Sequence, residues 1–402
     1  MPRKKVDAWA DITADLDKKI LSQERIASGT IRHEGAKKEW NNETCQREMD
    51  VHIEDLLRDD YYLGSYNIWP SIIEEIEQIW HMRCDFNVLF QRDTDDGLKT
   101  LKSDTVYALT FEQAKRKAIE KWTSYAEDAD SIHVYRDHNI HTVCLELPKG
   151  TGKDFEMSLI MWLLTREFLI LPRSDFFDPY NLDHDTTVAI ILMNRSESQA
   201  RSVTFSEILP KFKSPFFLDY FPAQVDLEEM ENARRYPSEL RMPRNIVLFP
   251  GTGAAASGLG YCVAASCIDE ANFMSRSTTG KQSIFGSDEY DAAAEAFNDL
   301  HQRMESRFGS IRNGVMTYAG LNVVISSSRT NNDFTQVLGR RSQRDEQVFY
   351  KRTAFWNRKP LDLSGDVFQF DVTNMAILEQ DKANEKYKNL TAIPEGIDIS
   401  VT

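Results

Sequence analysis

Leu145-Glu146-Leu147-Pro148-Lys149-Gly150-Thr151-Gly152-Lys153-Asp154 is the stretch from which the fold can be read. An apolar run over residues 141–147 leads into it, and a longer run at helical spacing over 155–171 leads out. Strand, glycine-rich turn, lysine and helix form the layout of a phosphate-binding loop. The glycines let backbone N–H groups close around phosphate oxygens. The helix N-terminus adds a positive dipole end, and Lys153 adds a full charge directed at the β- and γ-phosphates. The complete pattern asks for Gly where Leu147 stands and for Ser or Thr where Asp154 stands. A carboxylate is a good Mg²⁺ ligand, so Asp154 can take over from the missing hydroxyl. The competing reading is a structural turn in which Asp154 caps the helix.

Downstream of the loop, strand and helix patterns alternate. Residues 187–193, 246–249, 261–268, 322–325 and 348–356 read as buried strands, and 198–212 and 291–308 read as helices. Upstream, Pro70 opens a helix over 71–83 with Ile72, Ile73, Ile76, Ile79 and Trp80 on one face. Alternation of this kind implies a mostly parallel sheet covered on both faces, with ligands at the carboxyl ends of the strands. The segments 148–154, 194–196, 269–272 and 326–330 all follow strands and can converge on one edge. Asp93-x-Asp95-Asp96-Gly97 has the wrong spacing for a calcium loop and reads as a surface turn. His133, His138 and His141 lack a completing ligand set.

The run ending in Asp269-Glu270 supplies what a phosphate loop lacks. Asp269 can hold the Mg²⁺ shell, and Glu270 can position and activate a water. Together with the Ser/Thr-rich strand end at 326–330, the two motifs point to binding of ATP or GTP.

Net charge is −15, which excludes a protein coated in basic surface. Contact with nucleic acid would need a local basic patch, for which Lys115-Arg116-Lys117, Arg234-Arg235 and Arg340-Arg341-Arg344 are the candidates, each set against a solvated face. The five cysteines (45, 84, 144, 262 and 267) include no C-x-x-C pair and read as buried free thiols in a reducing compartment. Thr165-Arg166-Glu167 breaks the longest apolar run, so no transmembrane helix is expected.

Taken in order, these pieces resemble the ATPase domain of a tailed-bacteriophage large terminase, the motor that packages viral DNA. Tyr62-Leu63-Gly64 with Ile68-Trp69-Pro70 resembles that family's N-terminal segment. Pro148-Lys149-Gly150-Thr151-Gly152-Lys153 resembles its deviant Walker A loop, with the basic Lys149 inside it. Glu197-x-Gln199-Ala200 with Ser214-Pro215-Phe216-Phe217 resembles the segment after its second strand. Gly258-x-Gly260 ahead of Ile268-Asp269-Glu270-Ala271 resembles its Walker B region, and Arg303-x-x-Ser306-Arg307-Phe308 the following helix. Ser326-Ser327-Ser328 resembles its coupling motif.

The resemblance spans about residues 60–360 and implies an α/β P-loop NTPase fold of the ASCE type. A mostly parallel sheet flanked by helices would follow a polar, solvent-facing helical extension over 1–60. It implies ATP and Mg²⁺ as ligands. Pro148 to Asp154 would hold the nucleotide, Asp269 with Asp154 the metal, Glu270 would be catalytic, and Ser326, Ser327 and Ser328 would couple hydrolysis to motion. It further implies double-stranded DNA, a portal protein, a small terminase subunit and a homo-oligomeric ring as partners, in the host cytoplasm and without a membrane. A trans-acting arginine is expected, from among Arg241, Arg244, Arg303, Arg307 and Arg329. The chain departs from the pattern at Asp154 and in lacking a glutamine matched to adenine reading. Residues 361–402 read as a linker toward an absent nuclease domain. A helicase-like translocase and a non-hydrolysing nucleotide-binding subunit remain the alternatives.

Overall fold

The computed structural model describes residues 30–95, 97–136, 139–183, 185–224, 239–252, 261–274, 276–277, 290–312, 315–330, 332–358, 369–371 and 376–378. The expectations for residues 1–29, the Gly258-x-Gly260 segment, Arg234-Arg235 and nearly all of 361–402 lie outside them.

Two short helices, α1 (Asn42–Met49) and α2 (Ile53–Arg58), precede α3 (Pro70–Cys84). The expectation of solvent-facing helices is corrected here. Cys45, Met49, Ile53, Leu56 and Leu57 are buried and belong to the same apolar cluster as the main sheet. Enough apolar positions sit at helical spacing to form a stripe, although the composition around them is polar. Next comes a unit that the sequence reading did not anticipate. Strands β1 (Asp85–Thr94), β2 (Gly97–Tyr107) and β3 (Ser131–Tyr135) form an antiparallel sheet in the order β2-β1-β3, packed by α4 (Phe111–Lys121). Within the segment read as a surface turn, Asp93 and Thr94 end β1, Gly97 opens β2 opposite Thr94, and Asp95 follows β1 as a turn residue.

The main sheet has seven strands: β4 (Thr142–Glu146), β5 (Val188–Asn194), β6 (Leu240–Met242), β7 (Ile246–Thr252), β8 (Cys262–Asp269), β9 (Leu321–Ser326) and β10 (Val348–Arg352). Their order is β10-β4-β9-β8-β5-β7-β6, and every pair is parallel except β6 with β7. The period-2 geometry of strands splits their side chains between two cores. Val143, Leu145, Ile190, Leu192, Val323 and Ile325 enter one, while Cys144, Ala189, Ile191, Met193, Ile268 and Val324 enter the other. Helix α5 (Lys153–Ile170) covers the first face and is buried without a gap from Glu156 to Ile170. A helix apolar nearly all round can only be an interior helix. Helices α6 (Ala292–Phe308) and α7 (Phe334–Ser342) cover the second face. Asp291 caps α6 by accepting from the N–H groups of Ala293 and Ala294.

All five cysteines are free, and all but the half-buried Cys262 are buried. Among the described residues no helix is long and apolar enough to cross a membrane.

At the amino ends of the strands, opposite the loop edge, the buried His141 ring lies 4.5 Å from that of His301. Its Nδ1 is 2.7 Å from the Thr142 hydroxyl. Burial, reinforced by His301, pushes His141 down to about 3. The folded state therefore refuses a proton that the unfolded chain accepts below its ordinary pKa of about 6.5. The stability that His141 contributes is present above that value and is lost as pH falls toward 3. At about 1.4 kcal/mol per pH unit, the loss between pH 6.5 and 4.5 is about 2–3 kcal/mol. Urea midpoints of wild type and His141→Gln across this range should diverge, the variant falling less steeply. Parallel slopes would refute the assignment.

Candidate functional site

Parallel pairing brings the carboxyl ends of the strands to one edge, and the register sets their level. Ser326 lies opposite Glu146, Ile325 opposite Asp269, and Met193 opposite Ile268. The segments 148–154, 194–196, 269–272 and 326–330 therefore follow strands that end at one edge, as the sequence predicts. β9 lies between β4 and β8. In the loop, Gly150 and Gly152 have φ of 76° and 77°, a left-handed conformation that side-chain-bearing residues seldom adopt. The turn they make delivers Lys153 as the first residue of α5. The Thr151 hydroxyl donates to the Pro148 carbonyl at 2.6 Å and closes the loop on itself.

Lys153 is the centre of the site. Its Nζ lies 2.7 Å from Asp154 Oδ1, 2.9 Å from Glu270 Oε1 and 3.5 Å from Asp269 Oδ1. Burial alone would lower its pKa, but Asp269, Asp154 and Glu270 outweigh burial and hold the ammonium above the usual lysine range. Burial pushes Asp269 up to about 6, against the pull of Lys153. The second Asp269 oxygen accepts from Asn194 Nδ2 at 2.8 Å and from the Thr204 hydroxyl at 3.4 Å. Asn194 ends β5, and Thr204 lies in a π-helical turn over Ala200–Phe205, a local widening that often marks functional positions. Thr204 was invisible to sequence reading, which sees only an ordinary helix at 198–212.

Glu270 has φ 54° and ψ 36°. A left-handed glutamate is a strained residue, and such strain concentrates at working sites. Its Oε2 is buried without a hydrogen-bond partner among the described residues. Beyond it, the Asn272 N–H donates to Ser326 Oγ at 3.1 Å, and Asn272 Nδ2 donates to the Ser327 carbonyl and Thr335 Oγ1, each at 2.9 Å. Thr335 donates in turn to Glu146 at 2.8 Å, where Gln336, Tyr350 and Arg352 also converge. Ser326 is thus committed to Asn272. Ser327 is buried with an unpartnered hydroxyl among the described residues, and Ser328 is exposed. A carboxylate ending an otherwise apolar strand was the one available sign of the Glu146 hub.

Among the described residues no group of three His, Cys, Asp or Glu is arranged to hold a metal ion unaided. Mg²⁺ in phosphate sites is typically held by one or two carboxylates together with substrate phosphates and waters. Asp269 and Asp154 beside the loop, with the Glu270 oxygen that has no partner among the described residues, fit that donor set. A cavity of about 530 Å³ opens beside the loop, lined by Gly64 to Asn67, Trp69, Ile72, Gly152 and Phe155. The aromatic segment ahead of α3 thus forms one of its walls.

Lys149 and Arg329 both approach the Phe273 ring, at 5.1 and 5.9 Å. Arg244 is turned inward and donates to the Leu171 carbonyl, and Arg241 pairs with Glu239. Arg303 and Arg307 lie on α6, away from the loop sequence. In the basic triplet of α4, Lys117 pairs with Asp50 and Arg116 with Glu120. Arg340, Arg341 and Arg344 are exposed at the end of α7, with Arg341 paired to Asp345.

The family described as "Uncharacterized protein MJ0330, N-terminal P-loop domain" matches residues 73–376. A comparison with curated proteins finds no match. Among solved structures, the large terminase of a thermophilic bacteriophage is similar at 9% identity and a TM-score of 0.34, over 62% of this chain and 45% of that one. The large terminase of bacteriophage HK97 is similar at 12% identity and a TM-score of 0.33, over 53% and 35%. The ATPase domain of the Thermus phage P74-26 large terminase is similar at 13% identity and a TM-score of 0.33, over 54% and 76%. This chain covers less than half the length of the first two.

Proposed function

The chain belongs to this P-loop domain family, and from that footing we propose that it binds ATP at residues 148–154 and hydrolyses it. The observation that carries the reading is Lys153, the first residue of the loop helix, held within 3.5 Å of Asp154, Asp269 and Glu270. A lysine paired to the acidic strand end in this way exchanges those carboxylates for phosphate oxygens when nucleotide enters. The loop N–H groups and the start of α5 add their dipoles. Asn194 and Thr204 keep one Asp269 oxygen fixed, so the other faces the phosphates. Glu270, whose Oε2 has no hydrogen-bond partner among the described residues, would take the proton of the attacking water. Mg²⁺, held by Asp269 with Asp154, would neutralise charge on the β- and γ-phosphates. The cavity walled by Tyr66 and Trp69 takes the base, which aromatic faces recognise by stacking.

On the resemblance in the motif order, the work done is translocation of double-stranded viral DNA into a procapsid. The chain would act as the ATPase part of a large terminase, in a ring, with portal protein and small subunit, in the host cytoplasm. Arg329, exposed beside Phe273, is the candidate for an arginine acting across the ring. Ser327, whose hydroxyl has no partner among the described residues, is the first of the three serines to test as the γ-phosphate sensor.

The test is ATP turnover against protein concentration, with and without double-stranded DNA. Turnover per chain that rises with concentration and with DNA supports an assembling motor. ATP binding that shows no Mg²⁺ dependence and no turnover at any concentration would instead mark a non-hydrolysing subunit.

A further inference from the structure

The phosphate loop rests on a guanidinium supplied from more than two hundred residues downstream. Arg358 ends the short helical turn Phe355–Arg358 that follows β10, and its side chain is fully buried. Its Nε donates to the Thr151 carbonyl at 3.0 Å. Its two terminal nitrogens pair with Glu75 of α3 and Glu156 of α5. Its own carbonyl accepts from Ser71 Oγ at 2.9 Å. Lys351 and Thr353 both reach the other Glu75 oxygen, Oε1, at 3.2 and 3.1 Å.

Thr151 stands between the two left-handed glycines. A Cβ on Gly150 would meet nothing within 4 Å, and one on Gly152 would meet only Ile72 at ordinary contact distance. Such a loop has little stiffness of its own. Its N–H groups can face an anion only while its carbonyls are held elsewhere. Glu156 lies one turn into α5 from Lys153, so one planar fork grips both the loop backbone and the helix that carries the lysine.

From this the geometry points to Arg358 as a positioning residue for the phosphate loop. It holds the Thr151 carbonyl and the first turn of α5 in register from beneath, without touching nucleotide. The inference deepens, and for its effect on ATP rests on, the reading of 148–154 as the nucleotide site. A purely structural ion cluster is the competing account, and the fork separates the two. Lysine keeps the charge but cannot hold three partners in one plane.

The experiment is hydrogen exchange of the loop amides in the full chain without nucleotide, followed by ATP affinity. The variants are Arg358→Lys and, as a matched control, Arg83→Lys. Arg83 is also buried and forked, between Glu167 and the carbonyls of Gly320 and Ala319, far from the loop in sequence. Arg358→Lys should speed amide exchange over residues 149–155 at least ten-fold and weaken ATP binding at least ten-fold. Arg83→Lys should leave both within two-fold. Should Arg358→Lys fail to fold, Ser71→Ala frees the Arg358 carbonyl more gently and should speed the same amides at least three-fold. Loop exchange within two-fold of wild type in the folded variant overturns the inference. So does an equal change in Arg83→Lys. If the wild type binds no ATP while loop exchange still depends on Arg358, positioning stands and the nucleotide reading falls.

Discussion

Glu270→Gln should lose ATP turnover by about 10²–10⁴-fold, the usual contribution of a positioned general base, while binding ATP as well as the wild type or better. Glutamine fills the same volume and keeps an acceptor for Lys153. What it loses is the charge at Oε2, the atom that lies buried without a partner among the described residues. A neutral amide cannot take a proton from water. Affinity holds because Lys153 and the loop amides carry the binding, and one carboxylate fewer faces the phosphates. Single-turnover hydrolysis beside equilibrium binding would decide. Equal losses in rate and affinity would mean that Glu270 supports the loop instead of the chemistry. An unchanged rate would remove it from the reaction.

Lys153→Ala should abolish usable nucleotide binding, weakening it by about 10²-fold or more. A hydrogen bond to a charged group contributes about 1.5–3 kcal/mol, and on the proposed reading the ammonium would reach two phosphates. The loss exceeds those bonds, because Asp154, Asp269 and Glu270 then face incoming phosphate with no cation among them. Burial already holds Asp269 up near 6 against the pull of Lys153. Without that pull its carboxyl moves further up, toward the protonated form that serves a metal poorly. Calorimetric titration with ATP and Mg²⁺ would read this directly. Retention of wild-type affinity would show that the nucleotide enters elsewhere. Glu270→Gln and Lys153→Ala thus separate rate from binding at two residues 2.9 Å apart.

Much of this site is legible because its signals are local. Residues 187–193 read as a buried strand because the run is apolar and β-branched. Residues 148–153 read as a loop because glycine alone adopts the turn cheaply. The Asp269-Glu270 pair follows an apolar run, where two acids need a reason. The antiparallel unit at 85–135 escaped notice for the complementary reason. Its strand β2 is mostly exposed and carries Lys99, Lys102 and Asp104, so it lacks the alternation that marks a half-buried strand.

By itself, then, the sequence determined the α/β alternation, the phosphate loop with Lys153, and the acidic strand end. Each of these is written in a few neighbouring residues. Tertiary structure alone decided that β9 lies between β4 and β8, and that Asn194 and Thr204 hold Asp269. It also decided that Glu146 gathers Thr335, Gln336, Tyr350 and Arg352, and that Arg358 carries the loop. These contacts join polar residues scattered along the chain. A buried charge must find a partner, but nothing in its own neighbourhood says which one, because only the packed sheet brings them within reach.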